Sequence, residues 1–236
     1  MRYRLLLILA IFLFGGLQAD PRPWWEVNYN LDIEYPRMGD FRWDKASENI
    51  ILRGRGVNKR SFYKVDLASG DTTVYLDSSV FNYDGSYIPV RRWDLSKDGS
   101  FMLIQSKRER IWRHSNTGTY YLLNIDQREI NKVSEKNEML RNVKISPNNK
   151  WVSYVREDNN LYVYNIKRKR EKKLTRNGSE TLLNGHFGWV YEEELSGYDG
   201  YRWSPDSRYI AYMEEDQSEV GRFRMIDELK LYPRCA

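Results

Sequence analysis

The sequence holds one cysteine and two histidines in 236 residues. Cys235 stands beside the C-terminus, so the fold has no internal disulfide and no cysteine-built metal centre. His114 and His186 are far apart, and neither sits in a zinc-binding spacing such as H-x-x-x-H. No metal and no cofactor is expected. A strong excess of one charge is also lacking. Lys and Arg number 38 against 33 Asp and Glu, and Arg2 and Arg4 near the start supply two of the five net positive charges. That balance is too mild to argue for a nucleic-acid partner. Long apolar runs are missing as well. The run "LLLILAIFLFGGL" from Leu5 to Leu17 has 13 residues, below the roughly 20 that a membrane-crossing helix needs, and nothing later in the chain is a candidate.

That short run has a reading of its own. Basic "MRYR" precedes it, and small Ala19 follows as a cleavage position before Asp20. Residues 1–19 read as a cleaved export signal, which places the mature protein in a periplasm or outside the cell. An uncleaved N-terminal membrane anchor is the alternative.

The rest of the chain repeats itself. "WDKASENIILRG" from Trp43, "LSKDGSFMLIQS" from Leu95, "ISPNNKWVSYVR" from Ile145 and "WSPDSRYIAYME" from Trp203 share one pattern: an apolar residue, a polar turn, then an alternating apolar strand. Their starts are 52, 50 and 58 residues apart, a spacing that marks a repeat architecture. A second motif recurs in "SFYKVDLASGDTTVYL" from Ser61, "TYYLLNIDQREINKVS" from Thr119 and "LYVYNIKRKREKKLT" from Leu161, each an aromatic strand, a polar turn and a returning strand. Two strands plus a hairpin make four antiparallel strands per unit, which is one blade of a β-propeller. The fold class is therefore all-β, with about four blades over residues 20–236. A β-sandwich is the bland alternative, and the repeat length of roughly 50 residues argues against it. The basic run "KRKREKK" from Lys167 to Lys173 falls where "ASGDT" stands in the first unit, so it reads as a solvated blade turn rather than a nucleic-acid patch.

One stretch needs a chemical explanation. "WVYEEE" sets Glu192, Glu193 and Glu194 side by side among Trp189, Val190, Tyr191 and Tyr198. Neighbouring carboxylates disfavour each other's ionisation, and a bound cation removes that penalty. An ammonium group has three N–H donors, enough to reach two carboxylates. Strand alternation would place Glu192 and Glu194 on one face, whereas a helical turn would let Glu193 and Glu194 converge. A solvated acidic turn is the other reading, but the flanking aromatics lower the local dielectric and strengthen charge pairing.

"WVYEEE" followed by "WSPDSRYIAY", with "IWRHSNTGTYYLLNI" upstream from Ile111, resembles the dipeptidyl peptidase IV family of serine peptidases. "DQSEV" from Asp216 and "LYP" from Leu231 continue the resemblance, which runs from about residue 40 to the end. It implies an eight-bladed N-terminal propeller, of which this chain holds part. It also implies that Glu193 and Glu194 hold the free amino terminus of a peptide substrate, and that Arg113 of "WRHS" binds the carbonyl of the second residue from the scissile bond. Dipeptides would then be measured from the amino end, often with proline or alanine second. Gly188 departs from the pattern where an acidic residue is common, and Gly221 where proline is common.

The same family cleaves with a Ser-His-Asp triad on a C-terminal α/β-hydrolase domain, its serine in a G-x-S-x-G elbow. No serine here has glycine two positions before it, so no catalytic residue is assigned and the chain by itself is expected to be inactive. The expected partners are a peptide with a free amino terminus, the absent hydrolase domain and, for the full-length protein, a second copy in a homodimer. An open set of blades should also leave apolar sheet faces wet and fold poorly alone. The runner-up function is a non-catalytic propeller that binds a peptide or protein. A small complete four-bladed propeller with a lectin-like or scaffold role is the third reading.

Overall fold

In the computed structural model the described residues are 40–44, 47, 49–54, 60–134 and 139–221. The leader, "LYP" and Cys235 lie outside them. Three four-stranded antiparallel meanders follow one another. The first is β1 (Phe41–Trp43), β2 (Ile50–Arg53), β3 (Phe62–Val65) and β4 (Thr72–Leu76). A two-stranded ladder, β5 (Asn82–Tyr83) with β6 (Ser86–Tyr87), leads to the second. That second blade is β7 (Arg92–Leu95), β8 (Phe101–Arg110), β9 (Asn116–Asn124) and β10 (Glu129–Lys132). The third is β11 (Arg141–Ile145), β12 (Trp151–Val155), β13 (Leu161–Asn165) and β14 (Arg170–Lys173). A fourth unit is split into two ladders. β15 (Leu182–Asn184) pairs with β18 (Glu214–Asp216), and β16 (Tyr201–Trp203) pairs with β17 (Ile210–Tyr212). The propeller expectation therefore holds, with three full blades and the opening strands of a fourth.

The repeated polar turn has one chemistry in three blades. Ser96, Ser146 and Ser204 each donate their hydroxyl to the side chain two residues on, Asp98, Asn148 and Asp206, at 2.8, 2.8 and 2.6 Å. The same side-chain oxygens accept the backbone N–H of Ser100, Lys150 and Arg208. The serine oxygens in turn accept the N–H of Phe101 and Trp151, which open β8 and β12, and of Tyr209, which immediately precedes β17. These small polar residues satisfy backbone groups that no strand partner reaches. At Asp98 burial pushes the carboxyl up, but the bonds from Ser100, Ser96 and Asn149 prevail and hold it at about 2.

Cores form between successive blades, because alternation gives each strand two apolar faces. Ile51, Phe62, Leu76, Trp93, Met102 and Ile104 fill the space between the first and second blades. Leu103 and Leu122 of the second blade meet Val152, Tyr154 and Tyr162 of the third. Val155 and Leu161 of the third pack on Tyr201 of the fourth unit. On the first and fourth units Trp43, Val74, Tyr209 and Met213 are exposed.

The long β8–β9 hairpin rises beyond its blade. A bulge between Gln105 and Lys107 shifts its register, and Gly118 stitches it to the third blade through paired backbone bonds with Leu140 at 3.0 and 2.8 Å. A Cβ on Gly118 would lie 2.1 Å from the Lys107 carbonyl oxygen. Backbone cannot swing aside as a side chain can, so Gly118→Ala is expected to lower stability by about 2–3 kcal/mol in urea unfolding. A loss below about 0.5 kcal/mol would show that the hairpin relaxes freely.

Candidate functional site

Two segments far apart in sequence meet at the tip of this hairpin. The loop Ile111–Ser115 joins β8 to β9, closed by Ile111 N–H donating to the Ser115 carbonyl at 3.1 Å. Opposite it stands α1 (Trp189–Leu195), inserted between β15 and β16. The extra length of the last repeat interval accommodates this helix. Its Glu and Leu residues favour helix, and Ser196 at φ 54° with Gly197 N–H donating to the Tyr191 carbonyl ends it. The helical alternative for "WVYEEE" is thus the one the chain adopts.

The three glutamates differ completely. Glu192 is 0% exposed. Its Oε1 accepts the backbone N–H of His114 at 2.5 Å and of Ser115 at 2.8 Å. Burial pushes its carboxyl up, yet the hydrogen bonds from Ser115 and His114 hold it below the usual glutamate value. Glu193 is half-buried and pairs with Arg113, Nη2 to Oε2 at 3.0 Å. Glu194 is exposed. Arg113 is 65% exposed, so its charge remains available to another group. The His114 ring stacks on Tyr198 at 5.9 Å between centroids, and Phe187 on Tyr191 at 5.1 Å. Of the residues expected from the sequence, Arg113 and Glu193 are brought into contact and Glu194 follows on the same helix. Glu192 was not expected to act. Its signal was indirect: two N–H groups at the end of "WRHS" need an acceptor once the loop leaves the sheet.

Behind Glu192 lies a buried polar chain. The Arg141 guanidinium is disfavoured by burial and favoured by the charge of Glu192. Its Nη1 donates to His186 Nδ1 at 2.8 Å, and His186 Nε2 lies 2.9 Å from Asn159 Oδ1. Since arginine can only donate, these contacts assign the neutral Nε2–H tautomer to His186.

Gly188 opens α1 with no side-chain cap of its own. Glu215 Oε2 accepts its N–H at 2.8 Å instead, placing a carboxylate at the helix start. A Cβ at Gly188 would fall 1.9 Å from Gln217 Nε2 and 2.9 Å from Glu215 Oε1. The departure from the acidic residue common at this position is thus matched by an acid delivered from β18.

Known proteins match this chain along most of its described length. The model of the dipeptidyl peptidase IV N-terminal region matches residues 96–234, more than half of the sequence. Dipeptidyl aminopeptidase B of Saccharomyces cerevisiae is 34% identical over 167 residues, covering 68% of this chain and 20% of its own length. A probable dipeptidyl-aminopeptidase B of Paracoccidioides lutzii is 32% identical over 203 residues, covering 80% of this chain and 22% of its own. The crystal structure of Porphyromonas gingivalis dipeptidyl peptidase 4 superposes with a TM-score of 0.73 at 26% identity, over 84% of this chain and 28% of that one. The chain spans about one fifth of the length of the curated relatives it matches. A family-model match over more than half of the sequence, together with 34% identity to a relative over 68% of it, shows that the chain belongs to the dipeptidyl peptidase IV family, as a stretch of its N-terminal propeller region.

Proposed function

We propose that this chain is the substrate-recognition part of an exported dipeptidyl peptidase IV-like serine peptidase that removes dipeptides from peptide amino termini. The carrying observation is the Arg113–Glu193 pair at 3.0 Å, formed across 80 residues of sequence at the tip of a long hairpin. Glu193 is withdrawn from solvent, so an ammonium group that reaches it meets a stronger field than at an exposed carboxylate. Glu194, one residue on along α1, supplies a second acceptor. Arg113 offers guanidinium donors to a substrate carbonyl. Together these groups read a charged amino end and the carbonyl beyond it. Export rests on the leader of residues 1–19, and hydrolysis on a domain outside this sequence.

The test is a peptide titration of the complete protein by calorimetry. Acetylating the peptide amino group is expected to abolish binding. Glu193→Gln and Glu194→Gln should each weaken it by about 1.5–3 kcal/mol, the range for a hydrogen bond to a charged group. Equal affinity for acetylated and free peptides would refute the clamp.

A further inference from the structure

A groove of about 820 Å³ opens between the second and third blades, within the size range of small-ligand pockets. It lies at the opposite end of β8 from the clamp. Phe101 begins this strand in the groove, while Arg110 ends it beside the Ile111–Ser115 loop, about 30 Å away for ten residues of extended chain. Register shows how the groove arises. Phe101, Leu122 and Asn124 share the blade-two face that packs on blade three, and Lys150, Tyr164 and Ile166 share the blade-three face opposite. Leu103, Val152 and Tyr154 close the interface farther in. Toward the turns the two faces part, leaving half-buried Phe101, Trp151 and Tyr164 in the walls.

The rim is cationic. Lys132, Lys150, Lys167, Arg168 and Lys169 line it, against one carboxylate, Glu129. Glu129 is already engaged by Lys169 at 3.3 Å and by the Asn131 amide at 2.9 Å. Lys150, Lys167 and Arg168 are exposed and have no carboxylate partner among the described residues. Between cations and aromatics stand the carboxamides of Asn124, Gln127, Asn131, Asn149 and Asn165. Asn124 and Asn165 use their oxygens on the N–H of Gln127 and Arg168, Asn149 donates to Ser100, and Asn131 is held at both ends by Glu129 and Lys169. The NH2 groups of Asn124 and Asn165 and the amide of Gln127 are therefore the ones that face a ligand. Backbone groups of the framing turns are used internally: Ile125 N–H donates to the Ser100 carbonyl at 3.0 Å and Ile166 N–H to the Lys150 carbonyl at 3.1 Å. Recognition there falls to side chains, which disfavours pairing with a peptide backbone.

We propose that this groove binds an acidic oligosaccharide, with sugar faces against Phe101 and Tyr164, hydroxyls on the carboxamides, and carboxylates on Lys150, Lys167 and Arg168. Aromatic faces carry partial negative charge and attract the polarised C–H face of a pyranose. Amides match hydroxyls donor for acceptor, and the cations form charge-assisted bonds with uronate groups. Of "KRKREKK", residues 167–169 form an exposed turn that supplies one wall of a binding site, while Arg170–Lys173 run on as β14.

The experiment is calorimetric titration of the complete protein at low salt with hexagalacturonate, maltohexaose and hexaglutamate whose amino terminus is acetylated, so that it cannot use the Glu193–Glu194 site. Hexagalacturonate is expected to bind at least tenfold more tightly than either control. Lys167→Glu with Arg168→Glu reverses charge only on an exposed turn and is expected to weaken binding at least about tenfold, the sum of two surface pairs. Arg113→Ala is expected to leave it unchanged. Equal binding of maltohexaose would show an uncharged sugar site, and equal binding of hexaglutamate would show charge attraction alone. Either result, an absence of binding, or an unaffected double variant overturns the proposal.

Discussion

Glu192→Ala is expected to lower the unfolding free energy by about 2–4 kcal/mol, because one buried and one partly buried N–H group lose a charged acceptor. Those donors belong to His114 and Ser115, and no strand partner stands ready to replace the carboxylate. Glu192→Gln keeps an amide oxygen in place and should lose only about 1–2 kcal/mol, the charge-assisted part of the bonds. Glu193→Ala breaks a pair whose arginine is 65% exposed, so a change below about 1 kcal/mol is expected. Glu194→Ala, on an exposed side chain, should stay within about 0.5 kcal/mol. Urea unfolding measures all four. Amide exchange adds a local readout, since the His114 and Ser115 N–H groups should exchange faster in Glu192→Ala while those of β12 and β13 hold. Equal losses across the three alanine variants would mean that Glu192 does not tie helix to hairpin. The functional consequence is indirect. Glu192 fixes the loop that carries Arg113, so its loss is expected to loosen the Arg113–Glu193 pair.

The blades were legible because their signal is local. A serine followed two residues later by Asp or Asn builds its turn from neighbours in sequence, and the alternating strand after it shows its period directly. Ser96, Ser146 and Ser204 announce three blades in this way. The helix was less legible, since seven residues give too short a window for a 3.6-residue period, and strand and helix both remained open for "WVYEEE". The role of Glu192 was out of reach for a different reason. Its partners lie 78 and 77 residues away, and nothing in three identical letters says which one faces inward. The groove between blades two and three follows the same logic. "KRKREKK" reads as a solvated turn from its place in the repeat, and residues 167–169 are an exposed turn, but Arg170–Lys173 form β14 with Glu171 half-buried against Arg156. Its relation to Phe101 and Asn124 is a property of blade packing that no single repeat contains.

Acidification is expected to destabilise the fold between about pH 6.5 and 4 through one residue, His186. Burial, then the adjacent Arg141 charge, push its pKa down to about 4, against a slight upward pull from the Phe187 carbonyl. In the unfolded chain the imidazole titrates near 6.5. Between these values the unfolded state binds a proton that the folded state refuses, so stability is full above the unfolded value and falls as pH drops toward the folded one. The loss amounts to about 3 kcal/mol over this window and levels off below it. Asp98, held at about 2, adds its own loss only at lower pH, below the ordinary aspartate value, so the two contributions separate. His186→Gln is the diagnostic variant. Its amide oxygen can accept from Arg141 and its NH2 can donate to Asn159, but it does not titrate. Urea unfolding at closely spaced pH values should show a slope between pH 6.5 and 4 in the parent chain and little slope in the variant. Parallel curves would assign the acid sensitivity elsewhere. The consequence reaches the site, because a charged His186 can no longer accept from Arg141 and repels it. Arg141 and Glu192 attract each other, so displacing Arg141 removes a favourable charge from the surroundings of the carboxylate that anchors His114 and Ser115.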